Sequence, residues 1–281
     1  MHVSDIRTFA RIISRLTIVT RASTISWSLS FYPQPILNWH LRSTAGFSFD
    51  FAALNVVGFF CYTVSTAAFL FSPTILRQYA QRYPLDPVPT VRFNDFVFAL
   101  HALVLVLVVF TQFWHRLWRF HGRRDHLSAI IIGILGGSSL GVAIVAIIAL
   151  EQRSRDDPYA WKGIDVIYAL SYVKLLVTFI KYMPQALRNY RKKSTAGWAI
   201  HTIYMDLLGG VTSLMQLIID SSLQSDWADG IKGNPVKFGL SLVSLAFDTI
   251  FMIQHYVLYA KNNDQVDDEQ VEDGERTSLL R

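Results

Sequence analysis

A chain of 281 residues could form one large or two small water-soluble domains, but 52% of this one is hydrophobic and its mean hydropathy is +0.30. Only 17% of it is charged, against roughly 25% in ordinary globular domains. Several apolar stretches reach the ~20 residues that carry a helix across a bilayer, which excludes a soluble enzyme or a nucleic-acid-binding protein; the net charge of +5 sits mostly in short loops between apolar runs, where it reports topology.

Residues 1–16 carry Arg7, Arg11 and Arg15 without an uninterrupted apolar core, so no cleavable signal peptide is expected and the segment reads as a short N-terminal extension. Seven spans follow: Thr17–Trp39, Phe47–Phe71, Phe93–Trp114, Leu127–Leu150, Ile164–Tyr182, Trp198–Ile219 and Phe238–Tyr259. The first is the most polar and contains Arg21. Breakers separate the spans, with Pro84, Pro87 and Pro89 after the second and Pro158 after the fourth. Cys61 falls inside a span and reads as a small apolar packing residue. Residues 260–281 form a polar, acidic tail whose composition cannot bury enough apolar surface to fold.

Two phrases in this chain repeat. FYPQPILNWHLRSTAGF runs from Phe31 to Phe47, and KYMPQALRNYRKKSTAGW from Lys181 to Trp198. A shift of 151 residues lays Pro33 on Pro184, Gln34 on Gln185, Asn38 on Asn189, Ser43–Gly46 on Ser194–Gly197, Asn55 on Asp206 and Gly58 on Gly209. That is an internal duplication. Its copies end the first and fifth spans, four crossings apart, so they point the same way: two parallel three-helix repeats over residues 17–114 and 164–259, joined by a linker helix over 127–150. Parallel repeats of this kind are a transporter layout with substrate sites at the repeat interface.

Loops after the odd-numbered spans carry nine Lys and Arg residues against eight after the even-numbered ones, and the tracts 116–124 and 188–193 are the densest. This favours a cytosolic placement of the odd loops. The tail ends in Glu275-Arg276-Thr277-Ser278-Leu279-Leu280, and an acidic residue four positions before a Leu-Leu pair resembles the dileucine sorting signal of lysosomal and vacuolar membrane proteins. Both readings give a luminal N-terminus and a cytosolic C-terminus, with sorting adaptors as partners of Glu275, Leu279 and Leu280.

Polar groups stand where a bilayer makes them costly. Lys174, Thr178, Lys181, Gln185 and Asn189 recur at helical spacing on one face of the fifth span. Each ionisable group at bilayer depth costs roughly 2.5–3.5 kcal/mol, which points to a protein-lined or water-filled interior. The sixth span carries Thr202, Asp206, Gly209, Gly210, Ser213 and Gln216 on one side; the seventh carries Ser241, Ser244, Asp248 and His255; the third opens on Asn94-Asp95. Pro33 and Pro184, inside helices, free the carbonyls of Leu29 and Ile180 and predict a kink in each copy. With Gln34 and Gln185 beside them they form a candidate hinge pair. There is no Cys/His metal spacing, nucleophile elbow or phosphate-cradling loop, so neither a metal, a cofactor nor an enzyme activity is expected.

The segments SFYPQPILNW, STAGFSFDFAALNVVGF, FNDFVFALHA, VTFIKYMPQALRNY, KSTAGW, DLLGG, NPVKFGL and AFDTIFMIQHYVLY together resemble the PQ-loop transporters, relatives of the SWEET sugar carriers, and within them the branch that carries cystine. They cover nearly everything from Ile25 to Tyr259. The resemblance implies proton-driven export of L-cystine from an acidic lysosome or vacuole to the cytosol. It implies substrate contacts by Asn55, Lys174, Lys181, Gln185, Asn189, Asp206 and Lys237, and proton coupling by Asp95, Asp206 and Asp248. Thr202 stands where the family often has Asn, and the large luminal region of animal members has no counterpart before the first span. The charge pattern suits a substrate with two ammonium and two carboxylate groups better than a hexose, for which desolvating several charges is a net cost. A carrier for cationic amino acids, and a receptor or scaffold recruiting cytosolic regulators, are the alternatives.

Overall fold

A computed structural model describes residues 25–84, 89, 91, 93–120, 126–152, 157, 160–222 and 235–263; the tail residues Glu275, Leu279 and Leu280 lie outside that set. The described residues are mostly helical, with no β-strand among them. Residues 25–29 form a helical turn. The helices that follow are α1 (Pro33–Leu41), α2 (Phe49–Phe71), α3 (Pro73–Arg82), α4 (Phe93–Thr111), α5 (His115–Trp118), α6 (Ala129–Glu151), α7 (Gly163–Ile180), α8 (Tyr182–Lys192), α9 (Ile200–Ser222) and α10 (Pro235–Ile253), the last continued by a π-helical turn, Gln254–Leu258. Among the described residues, three helical stretches are long and apolar enough to cross a membrane: α2, α6, and α7 with α8; Asp95–Thr111 and Leu242–Leu258 are shorter apolar helices.

The chain forms two compact units, Phe47–Gln185 and Met1–Gly46 with Ala186–Arg281. In the first, α2 packs against α4 and α7, and α6 packs on α7. Leu54, Cys61, Ile131, Val173 and Val177 are the buried centre, so Cys61 is the packing residue its position suggested. Between apolar helices in lipid, close packing and interhelical hydrogen bonds replace burial from water as the driving force. Gly58 serves that approach, because a Cβ there would press on the Val177 side chain. Helix α6 is apolar apart from Ser138, Ser139 and the terminal Glu151, and little buried, which suits a face turned to lipid.

Local rules set the ends. Ser48 caps α2 by accepting from Phe51 N–H at 3.3 Å; Ser72 ends α2 and caps α3, where Pro73 takes the first position. Helix α3 holds the start of α7. Gln78 accepts from Ile164 N–H at 2.8 Å, and Arg82 grips Asp165 at 2.5 and 3.0 Å while also donating to the Ala160 carbonyl. The hydrogen bond to Asp165 pushes the Arg82 guanidinium above its ordinary range.

In the second unit α9 packs on α10, with α1 and the turn at 25–29 against α9. Trp198 and Phe251 lie with ring centroids 5.5 Å apart. Gly209 faces Trp27, where any Cβ would overlap the indole, and Ser26 Oγ donates to the Met205 carbonyl at 2.7 Å.

Three expectations need correction. Pro33 is not inside a helix: the chain turns at Ser30–Tyr32 and Pro33 is the first residue of α1, where its missing N–H is no loss. The Leu29 carbonyl is accordingly not left over but accepts from Tyr32 N–H at 3.2 Å. The basic tract 188–193, expected as a loop, is helical as far as Lys192. The seventh span does not keep one helical register to its end, because the π-helical turn replaces it after Ile253.

Candidate functional site

Each Pro-Gln segment leads into the same turn. Helices α1 and α8 end at Arg42 and Lys193, both left-handed (φ 49° and 54°) and 151 positions apart. Ser43 Oγ then accepts from Ala45 N–H at 3.2 Å, and Ser194 Oγ from Ala196 N–H at 3.0 Å. A short side chain closing a turn two residues on is what serine supplies. Gly197 has φ +79° and touches Gly46; a Cβ on either would collide with the other's backbone. The duplicated Ser-Thr-Ala-Gly is therefore a turn sequence with a requirement for close backbone approach.

The glutamines finish those turns, and they do so crosswise. Gln34 Oε1 accepts from Ala199 N–H at 2.8 Å, while its Nε2 donates to the Gly197 carbonyl at 3.0 Å and to Asn38 Oδ1 at 2.8 Å. Gln185 Oε1 accepts from Ser48 N–H at 2.6 Å. Ala199 and Ser48 are equivalent positions, 151 apart, so each glutamine caps the helix that follows the turn of the other copy. Both are buried, Gln185 completely. The glycines repeat the exchange: Gly58 of the first copy meets Val177 of the second, and Gly209 of the second meets Trp27 of the first.

Within Phe47–Gln185, Lys174 extends its ammonium over Phe59, 3.9 Å from the ring centroid, with Tyr62 at 5.8 Å. Lys181 lies 4.5 Å from the Tyr182 ring centre and 5.9 Å from that of Phe51. Aromatic faces lessen the cost of desolvating a cation without neutralising it. Asn55 is buried on α2 with its Oδ1 lacking a hydrogen-bond partner among the described residues, and Asp95 stands half-buried in the first turn of α4. Pro184 is the third residue of α8, and its missing N–H leaves the Ile180 carbonyl without its helical donor at the junction of α7 and α8.

In the other unit, Asn189 donates to Gln254 Oε1 at 3.1 Å, and Gln254 Nε2 donates to the Ala186 carbonyl at 3.0 Å. Asp206 on α9 and Asp248 on α10 meet through one side chain: Ser244 Oγ lies 3.2 Å from Asp206 Oδ2 and 3.4 Å from Asp248 Oδ2. Asp248 is fully buried and Asp206 half-buried. Thr202 Oγ1, one turn before Asp206, is buried and without a partner among the described residues. Lys237 belongs to α10, with its side chain outside the described set.

The expected residues thus fall in both units, with Asn55, Asp95, Lys174, Lys181, Pro184 and Gln185 in one and Pro33, Gln34, Asn189, Asp206, Lys237 and Asp248 in the other. The polar stripe read from helical spacing passed over Gln254, the first residue of the π-turn; His255, placed by that spacing on the Asp248 face, instead meets Thr195 Oγ1 at 2.6 Å. A cavity of about 380 Å³ beside the Arg82–Asp165 pair, lined also by Tyr83, Trp161, Tyr168 and Tyr172, contains none of the residues expected to bind substrate. Among the described residues no cluster of metal-ligating side chains occurs.

The chain matches the PQ loop repeat family twice, over residues 16–75 and 166–226. It is 40% identical over 235 residues to a cystinosin of Drosophila melanogaster, covering 84% of this chain and 56% of that protein. It is 39% identical over 238 residues to a cystinosin homolog of Dictyostelium discoideum, covering 83% and 77%. It is 30% identical over 250 residues to a Saccharomyces cerevisiae protein named cystine transporter, covering 85% and 92%. The chain therefore spans little more than half of the fly protein and most of the other two. Two copies of the repeat at the expected offset, the crosswise glutamines and these identities carry one conclusion: the chain belongs to the PQ-loop family, in the branch that contains the cystinosins.

Proposed function

We propose that this protein is a seven-span, proton-coupled carrier that exports L-cystine from the lumen of a lysosome or vacuole to the cytosol by alternating access. The observation that carries the reading is the pair of carboxyl groups, Asp206 and Asp248, joined through Ser244, with Ser244 and Asp248 on the apolar helical stretch Leu242–Leu258. Permanent charges there are expensive, and a carboxyl that alternates between charged and neutral escapes most of that cost. Cystine, with two ammonium and two carboxylate groups, complements a set that offers both signs: Asp206 for ammonium; Lys174, Lys181 and Lys237 for carboxylate; Asn55, Gln185 and Asn189 for hydrogen bonds. The name of the yeast relative and the family resemblance support the same substrate. Asp95, Asp206 and Asp248 are the proposed proton-coupling residues, and the Pro33-Gln34 and Pro184-Gln185 segments the hinges.

The orientation proposed is a luminal N-terminus and a cytosolic tail, with Glu275, Leu279 and Leu280 read by sorting adaptors. The decisive experiment reconstitutes the full chain in proteoliposomes and follows labelled cystine under an inward proton gradient. Wild type accumulates cystine and Asp206→Asn does not. Gradient-driven accumulation by Asp206→Asn would rule that residue out as the proton site, and counterflow with labelled lysine in place of cystine would move the substrate to the cationic amino acids.

A further inference from the structure

Ser244 has one hydroxyl proton and two carboxylate neighbours, Asp206 Oδ2 at 3.2 Å and Asp248 Oδ2 at 3.4 Å. A hydroxyl can donate to only one of them at a time, but its oxygen can accept from the other. Both distances are longer than an optimal O–H···O contact of about 2.7–2.8 Å, as befits an oxygen held between two acceptors. Ser244 stands four residues before Asp248 on α10, one helical turn, and this places its Oγ at the α9 side where Asp206 reaches it. The two carboxyl groups differ in setting, for Asp206 is half-buried and Asp248 fully buried.

We infer that Ser244 is a proton relay between Asp206 and Asp248, an assignment that rests on the proton-coupled reading above. When one carboxyl is protonated it donates its proton to Ser244 Oγ as the hydroxyl proton passes to the other carboxylate. One O–H bond breaks and one forms at each step, the serine ends as it began, and rotation about its Cβ–Oγ bond resets it. The proton thereby moves between the half-buried and the fully buried acid without crossing apolar space as a free charge. The other ionisable side chains of α9 and α10 are His201, Tyr204, Asp220 and Lys237, the side chains of the last two lying outside the described residues. Tyr204 is engaged with Tyr256, and His255 with Thr195. The turn at 25–29 packed on α9 presents Ser26 and Trp27, neither of which titrates.

The test compares wild type, Ser244→Ala and Ser244→Thr in the full chain reconstituted in proteoliposomes. Gradient-driven cystine uptake is measured beside cystine exchange at equal pH on both sides, which needs no net proton transfer. The relay predicts that Ser244→Ala loses about a hundred-fold in gradient-driven uptake, the scale of a positioned proton-transfer group, with exchange changed less than about two-fold, and that Ser244→Thr restores uptake. Equal losses in both assays would reduce the serine to packing and overturn the relay, as would unchanged uptake. Infrared titration of the carboxyl C=O bands, assigned through Asp206→Asn and Asp248→Asn, gives a readout independent of cystine. Ser244→Ala shifts both bands to higher frequency and Ser244→Thr shifts neither; unmoved bands in Ser244→Ala refute the relay even if wild type carries some other substrate. Absence of cystine transport by wild type, with the bands shifting as expected, would instead strike the substrate assignment alone.

Discussion

At Gln34 a single amide meets three backbone and side-chain groups, and at Gln185 another holds the N–H of Ser48 in a fully buried place. Removing either leaves a buried N–H at a helix start without its acceptor, a loss of about 1–3 kcal/mol. Gln34→Ala and Gln185→Ala are therefore each expected to lower the thermal midpoint of the protein in detergent, whereas Gln34→Glu, which keeps the acceptor but loses the donor to Gly197, should fall between. Glycine is required at 46 and 197 for space and, at 197, for φ. Gly197→Ala puts a side chain at φ +79° and against Gly46, an expected cost of about 1–3 kcal/mol read as reduced thermal stability. At Arg82 the partner is a carboxylate in a half-buried setting, and Arg82→Gln leaves Asp165 without its guanidinium, an expected loss of about 1–2 kcal/mol after allowance for partial exposure. Because the Arg82 guanidinium is raised above an unfolded value that is itself far above neutrality, its contribution is fully present at low pH and lost only as pH climbs through the folded value. From the arginine side, then, the loss should be the same at lysosomal and cytosolic pH.

The helices carry the difference between the two Pro-Gln segments. Pro33 opens α1, so Pro33→Ala changes little more than the entropy of the unfolded chain, a few tenths of a kcal/mol up to about 1. Pro184 interrupts the junction of α7 and α8. Pro184→Ala supplies the donor that the Ile180 carbonyl lacks and should straighten that junction. If the junction is a hinge for alternating access, the variant binds cystine as wild type does but turns over more slowly; equal turnover would make it a static bend. Much of this was present in the sequence: the duplication follows from self-similarity, and the apolar runs from Phe47, Phe93, Leu127 and Ile164 each begin within two residues of a helix start, whereas the kink expected at Pro33 is a turn ahead of a new helix. What periodicity could not supply was the register beyond Gln254, since a five-residue π-turn shifts the side chains that follow it, nor did it single out Gln254, which meets Asn189 and the Ala186 carbonyl. It likewise placed Asp206 and Asp248 on their own helix faces without saying that Ser244 joins them.

For the molecule as a whole, address and coupling can be separated. Deleting Leu279-Leu280 is expected to carry the protein to the plasma membrane, where acidic medium stands in for the lumen and labelled cystine enters the cell in proportion to external acidity. Retention in lysosomes or vacuoles would remove the sorting assignment while leaving transport untouched. The amino-acid sequence alone settled that this is a membrane protein and that it contains one unit written twice, because hydropathy and repetition are properties of the chain in order. The tertiary structure alone decided that each copy's glutamine and glycine serve the other copy. Those bonds join residues 137 and 165 positions apart, and no local preference in the chain says which of two equivalent helix starts a buried amide will cap; only the packing of helices distant in sequence selects the partner.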